Sequence, residues 1–306
     1  MSTVGGVITT GAHPKALWPG VKSWWGRQYD EHQQEYPDLF DVETSDKAYE
    51  EDVEISGFGV LREKDQGASL NYDTEIQGSV TRYTHVAYAG GYIVTYEELR
   101  DNLYEVVSKR RAAMLAFAGR QTEEIVAANV YNQAFNTSYP IGDGAAAISP
   151  AHPTMAGNQS NRLTTSADLS ETAIEDLGIQ IMQATDYRGN KIALVPQSLI
   201  IPPAQWFDAN RIINSVLQND TANNAINVIK ASGMFPKGII VNHYFTSSTA
   251  WFIRTNAPFG LRFLWRDKPM FDTDNEFSTK NALAAQYMRF SAGVTDWRQL
   301  WGTPGV

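Results

Sequence analysis

The segment from Thr95 to Phe135, TYEELRDNLYEVVSKRRAAMLAFAGRQTEEIVAANVYNQAF, contains no proline and decides the fold. Thr95 stands three residues before Glu98, a spacing at which each side chain satisfies a free backbone amide of a starting helix. Leu99, Leu103, Val106, Val107, Met114, Phe117, Ala118, Ile125 and Val126 then recur at steps of three and four, the stripe of an amphipathic helix. Roughly forty residues at 1.5 Å each predict a rod of about 60 Å, longer than an ordinary domain is wide, so this helix reads as a spine. Gly119 within it costs about 1 kcal/mol relative to alanine and predicts a bend or a close packing contact. The heptad pattern breaks at Lys109-Arg110-Arg111, which argues against a coiled coil.

Around this spine, 306 residues that are 43% hydrophobic and 19% charged suffice for one large domain or two ordinary ones. The absence of cysteine excludes disulfides, thiolate chemistry and cysteine-bound metal. The N-terminal residues lack the basic patch and following apolar run of a signal peptide, and nowhere do about 18 apolar residues run together. The reading is a soluble protein made in a cytoplasm, with no membrane partner. Eight Trp and 14 Tyr supply aromatic contact area for cores or interfaces.

The net charge of −9 is concentrated. Between Asp30 and Glu54 stand eleven acids against the single base Lys47, while the other 23 acids and 24 bases nearly cancel. Two readings stay open: a solvated acidic face, or an arm that docks on a basic surface of a neighbour, with Lys109-Arg110-Arg111 the candidate. No basic field points to sequence-specific nucleic-acid binding.

Taken in order, residues 1–29 are rich in Gly, Thr and Pro and read as an extended segment that needs another surface to lie on, with Trp24-Trp25 as its contact pair. Residues 28–52 read as a short helix or turn. From Val53 to Val94 the chain is strand-like, with a charged tip at Arg62-Glu63-Lys64-Asp65, and predicts a long projecting hairpin resting on something else. After the spine, residues 136–168 form an irregular connection rich in Gly, Pro, Ser and Asn. A second helix starts with Ser170 as N-cap and stops at Arg188-Gly189. A buried strand at 192–201 feeds a proline-started helix ending near Val216. An Asn-rich loop follows at 218–227, with Asn219, Asp220, Asn223 and Asn224. Strands are expected at 238–241, 250–254, 260–271 and 282–296.

No pattern in the chain rises to a catalytic site, and no cofactor is expected. His13, His32, His85, His152 and His243 form no ligand pair and read as surface or hydrogen-bonding residues. There is no nucleophile elbow, phosphate loop or dinucleotide fingerprint. Asp272-Thr273-Asp274-Asn275-Glu276 begins like a calcium loop, but Phe277 stands where the glycine is required. The carboxylates of the acidic segment lack the apolar setting of a general acid. The chain reads as no enzyme.

The order of parts, an acidic arm, a two-stranded excursion, a spine, an α/β unit and a final strand pair, resembles the major capsid proteins of tailed bacteriophages with the Hong Kong 97-type fold, particularly the Mu-type major head subunit. Its most specific pieces are Leu194-Val195-Pro196 through Ile200-Ile201-Pro202-Pro203-Ala204, Ala209-Asn210-Arg211-Ile212-Ile213, and the closing Gly260-Leu261-Arg262-Phe263 and Ala292-Gly293-Val294-Thr295-Asp296-Trp297-Arg298. The resemblance implies an α+β capsid fold divided into an N-arm at 1–52, an extended loop at 53–92, a peripheral domain at 93–165 and 256–306 with the spine at 95–135, and an axial domain at 166–255. It implies self-assembly into hexamers and pentamers of an icosahedral virion shell around packaged double-stranded DNA, contacted non-specifically, and assembly in the host cytoplasm. Scaffolding, portal and decoration proteins are the implied partners; the scaffold is expected as a separate protein or as a segment already removed. Some relatives cross-link through a lysine of the extended loop. Lys64 is the only lysine there, but no buried acid can be placed beside it, so the cross-link is not expected.

The expected interface residues are therefore Trp24, Trp25, Arg62, Glu63, Lys64, Asp65, Lys109, Arg110, Arg111, Asn219, Asp220, Asn223 and Asn224. Two rivals remain: an encapsulin-type shell that carries enzyme cargo, and a non-viral soluble enzyme or binding protein with aromatic stacking surfaces.

Overall fold

The computed structural model describes residues 18–67, 69–101, 104–217 and 226–306; the side chains at 18–21, 24, 99–100 and 104–109 also fall outside the described set. The fold is α+β and divides into two units, one of residues 1–34, 85–124 and 265–291, the other of residues 35–84, 125–264 and 292–306. These units cut the chain differently from the four-part division expected from the resemblance. Three long elements supply residues to both: helix α4 (Tyr104–Asn132) and strands β8 (Leu261–Asn275) and β9 (Ala282–Val294).

The spine is shorter than its sequence pattern predicts. Thr95 caps as expected, its Oγ1 accepting from Glu98 N–H at 3.4 Å, but the helix it starts, α3 (Tyr96–Arg100), ends at Asp101. Asp side chains compete for backbone groups and favour helix ends, and Asp101 closes this helix as its C-cap. The continuous rod is α4, 29 residues or roughly 43 Å long.

The first unit packs helix α1 (Trp18–Glu31), the start of α4 and strand β4 (Val86–Val94). β4 runs antiparallel to β9 from Val86↔Phe290 to Val94↔Ala282. The core joins Trp25, Tyr29, Val94, Ala112, Ala116, Phe271, Ala282 and Ala284. Trp25 stacks between Tyr29 and Phe271 at 5.0 and 5.5 Å. The alanines of α4 and Gly119 let the helix approach closely: a Cβ on Gly119 would lie 1.9 Å from Gln286 Nε2, so this glycine answers to a packing contact. α1 also corrects the expectation of an extended stretch over residues 18–29, because Pro19 falls in the first turn, where no amide partner is lost.

The second unit opens with helix α2 (Tyr36–Leu39) and strand β1 (Asp41–Thr44), where only a short helix or turn is expected. Strands β2 (Tyr49–Ser56) and β3 (Ile76–Thr84) make an antiparallel hairpin from Tyr49↔Thr84 to Ser56↔Ile76, with a register shift between Val53 and Ile55. The excursion is therefore 49–84, and the strand-like sequence beyond His85 goes to β4 and pairs with β9 instead. Helix α5 (Glu171–Gln183) is capped by Ser170, whose Oγ accepts from Ala173 N–H at 3.2 Å; it ends five residues before the expected stop. Strand β5 (Pro196–Ile201) starts four residues later than read and leads through a 3-10 turn at Pro203–Gln205 into helix α6 (Trp206–Asn214). Helix α7 (Val228–Ser232), absent from the sequence reading, is held between an Asn227 cap and Gly233 at φ 63°. Strands β6 (Ile239–Val241), β7 (Trp251–Thr255) and β10 (Leu300–Thr303) complete a sheet ordered β10-β7-β5-β6, in which β5 and β6 are parallel. Its core gathers Ile174, Leu177, Ile181, Leu199, Trp251 and Trp301.

Candidate functional site

Charge organises the second unit. Three arginines far along the chain pair with four of the eleven acids: Arg254 meets Asp41 at 2.6 Å, Arg262 binds both Glu43 and Asp52, and Arg298 meets Glu54 at 3.1 Å. Glu35 also accepts from the His243 backbone N–H at 2.9 Å and meets the His243 ring Nδ1 at 2.5 Å, and Lys47 pairs with Glu50 at 3.0 Å. Arg254 and Arg298 are buried. Burying a cation is costly unless it is paired and hydrogen-bonded, so these acids serve their own chain's cationic groups. Neither sequence reading, a solvated face or an arm for a neighbour, anticipates this. Pairs separated by more than two hundred residues leave no local signal.

The described residues of 57–75, beyond the hairpin, form no strand and expose Phe58, Val60, Leu61, Leu70 and Tyr72. Their base is fixed. Asp73 Oδ2 accepts from Gly59 N–H at 2.7 Å and from Arg188 Nη1 at 2.6 Å, and Arg188 Nη2 donates to Thr74 O. The Gly59 and Thr74 amides, backed by Arg188, hold the Asp73 carboxyl below its ordinary value. Arg62, Glu63, Lys64 and Asp65 lie exposed in this loop. The loop thus carries apolar side chains that its own chain leaves in water.

The remaining expected interface residues scatter. Trp25 is buried, and its Nε1 donates to Gln286 Oε1 at 3.2 Å, so its ring is part of the core of its own chain; Trp24 lies in α1. Arg110 is exposed, Arg111 pairs with Glu98 at 3.0 Å, and Lys109 lies in α4. Asn219, Asp220, Asn223 and Asn224 fall outside the described residues.

The buried polar groups are structural in geometry. His152 lies between Asp143 Oδ2 at 2.6 Å and Asn161 Oδ1 at 3.0 Å, stacked on Trp297. His85 meets Ser291 Oγ at 3.0 Å. Glu123 is fully buried between Tyr29 and Arg120, and burial raises its pKa above the ordinary carboxylate value. Among the described residues no three His, Asp or Glu converge as metal ligands.

In the first unit β4 pairs with β9 along one side, and no described strand pairs with its other side. Its sequence, VAYAGGYIV, has neither charge nor proline, the features that usually keep an edge from pairing. Beside it lies a cavity of about 370 Å³ lined by β4, α4 and β9 residues including Gly90, Leu115, Gly119 and Gln286.

A family model described as phage capsid protein matches residues 78–302. Among solved structures, the capsid of a native GTA particle shares 11% identity at TM-score 0.56, covering 99% of this chain and 92% of that one. The capsid of cyanophage P-SCSP1u shares 12% at 0.56, covering 88% and 87%. The virus-like particle from Pyrococcus furiosus shares 13% at 0.53, covering 94% and 99%. These likenesses establish a common fold. No curated protein matches the chain.

Proposed function

Starting from a chain that belongs to the phage capsid protein family, we propose a head subunit that closes into hexamers and pentamers around packaged double-stranded DNA. The role itself is structural: this is a major capsid protein of Hong Kong 97-type α+β fold that self-assembles into the shell of a virion. The family match over residues 78–302 carries the reading, and favours a phage capsid over a cargo-carrying compartment of the same fold. Exposed apolar residues on 57–75 support the oligomeric part, because a loop of that composition is stabilised when a neighbour covers it.

The division into N-arm, extended loop, peripheral and axial domains belongs to this proposal. So does an interface drawn from Arg62 to Asp65, the basic run Lys109 to Arg111 and the Asn-rich sequence from Asn219 to Asn224. Partners would be a scaffolding protein, a portal and decoration proteins, with DNA contacted without base readout and assembly in the host cytoplasm. A shell subunit needs broad complementary contacts between copies, on the scale of obligate interfaces.

Negative-stain electron microscopy beside light scattering on the purified 34.0 kDa chain tests this. Closed shells, or hexamers and pentamers, are expected. A monodisperse monomer or dimer that stays unassembled with scaffolding protein overturns it.

A further inference from the structure

The cavity beside β4 has a shape and a chemistry. Gly90 pairs with Gln286 across the β4–β9 ladder, so the sheet face carries no side chain at Gly90. Above it α4 offers Leu115, Ala118 and Gly119, small or apolar, and Met288 lines the same space. Glycine on a sheet edge leaves a hole that an aromatic ring from an adjacent segment can cover. One polar group is left over. Gln286 is 3% exposed, and its Oε1 is taken by Trp25 Nε1, which turns the amide nitrogen toward Gly119. Among the described residues that Nε2 has no hydrogen-bond partner, a costly state for a buried donor. The site therefore asks for a flat apolar group that ends in a hydrogen-bond acceptor. A tyrosine side chain meets that description.

The same chain displays one. Tyr72 is 91% exposed. It is not on a free tip, because Asp73 and Thr74 are fixed by Arg188 and Gly59, which presents the neighbouring ring from an anchored base. A ring so exposed has no seat among the described residues of its own chain, which points to another copy to provide one. Resting on the shell role argued above, we propose that Tyr72 of a second copy inserts its ring into the cavity over Gly90, where its hydroxyl accepts a hydrogen bond from Gln286 Nε2. Each subunit then gives one tyrosine and receives one, a heterologous contact that propagates between copies.

The test is Tyr72→p-benzoylphenylalanine in particles assembled from mixed isotope-labelled and unlabelled subunits, irradiated and read by mass spectrometry. Expected are cross-links joining residue 72 to residues 115–122 or 286–288 of a differently labelled copy. Shells whose cross-links from residue 72 fall elsewhere, or only within one copy, overturn the pocket assignment and leave the shell role standing. Failure of the unsubstituted chain to form shells overturns the shell role, and this contact with it. Tyr72→Ala is a second measure: it should raise the protein concentration needed for assembly roughly tenfold or more, as losing an aromatic anchor does, with subunit Tm unchanged. Tyr72→Phe, keeping the ring but not the acceptor, should fall between. Assembly of Tyr72→Ala at the unsubstituted chain's concentration overturns the proposal.

Discussion

Glu54 and Arg298 stand 244 residues apart in the chain and meet at 3.1 Å, the carboxylate of a hairpin strand accepting from a buried guanidinium near the C-terminus. Arg298 also donates to Asp296 and to Thr185 O, and its guanidinium lies 4.4 Å from the Trp297 ring centroid. This node ties the hairpin's first strand to the segment between β9 and β10.

Arg298→Met should therefore destabilise the second unit by about 2–4 kcal/mol, the scale for breaking a buried, hydrogen-bonded ion pair. Glu54→Gln should cost less, about 1 kcal/mol, because Glu54 is partly solvated and Asp296 remains as counter-ion. Urea denaturation of both variants checks the order. Equal losses, or none for Arg298→Met, would contradict the central place given to the arginine.

Gly119→Ala tests the close approach of α4 to β9. The added methyl would meet the Gln286 amide, and so push it off Trp25 Nε1. Overpacking of this kind costs about 1–3 kcal/mol, against a gain of about 1 kcal/mol in helix propensity. The double variant Gly119→Ala, Gln286→Ala should recover part of the loss, which a double-mutant cycle in thermal denaturation measures.

Much of this architecture is legible where the signal is local. Thr95 and Ser170 cap the helices their spacing announces, and the strands over 239–241 and 251–255 fall within a residue of their sequence reading. The misreadings share a physical cause. An uninterrupted apolar stripe hides the stop at Asp101, and Gly-Pro punctuation hides α1, whose proline sits where a helix tolerates it. Strand propensity at 86–94 is real, but pairing with β9 is a tertiary choice that no local pattern encodes. The arginine partners of the acidic segment are invisible for the same reason. As for the contact surface, the sequence reading singles out the charged tip at Arg62–Asp65 and passes over the exposed apolar side chains around it, Tyr72 among them, whereas Gln286 gains meaning only once Trp25 and Gly119 are placed around it.

Glu123 makes the first unit sensitive to pH. Burial raises its pKa above the unfolded value, outweighing the opposing hydrogen bonds from Tyr29 and Arg120. A raised folded-state pKa means that its contribution to stability is fully present below the unfolded carboxylate value and is lost as pH rises through the folded one. Protection of the α1 backbone amides should therefore fall as pH rises through that window. Glu123→Gln, which cannot ionise, should flatten the dependence in hydrogen exchange. An unchanged slope in the variant would assign the effect to another group.

Asp73 carries the opposite sign, and it sits next to the tyrosine that matters. Amide bonds from Gly59 and Thr74, with Arg188 beside them, depress its pKa below the unfolded value. Its contribution is therefore present above the unfolded carboxylate value and is lost as pH falls through the depressed one. Acidification should release the Gly59 amide first, since that N–H donates directly to Asp73 Oδ2 at 2.7 Å. Hydrogen exchange at Gly59 should accelerate on acidification beyond its intrinsic pH dependence, while amides of the β5–β7 ladder keep their protection. Asp73→Asn keeps an acceptor but weakens the pairing with Arg188, so it should show fast Gly59 exchange at neutral pH and remove the acid dependence. Because Tyr72 is presented from this base, the same variant should assemble less readily than the unsubstituted chain at neutral pH while retaining its Tm. Assembly unaffected by Asp73→Asn, alongside fast Gly59 exchange, would separate the anchored base from the contact it is argued to present.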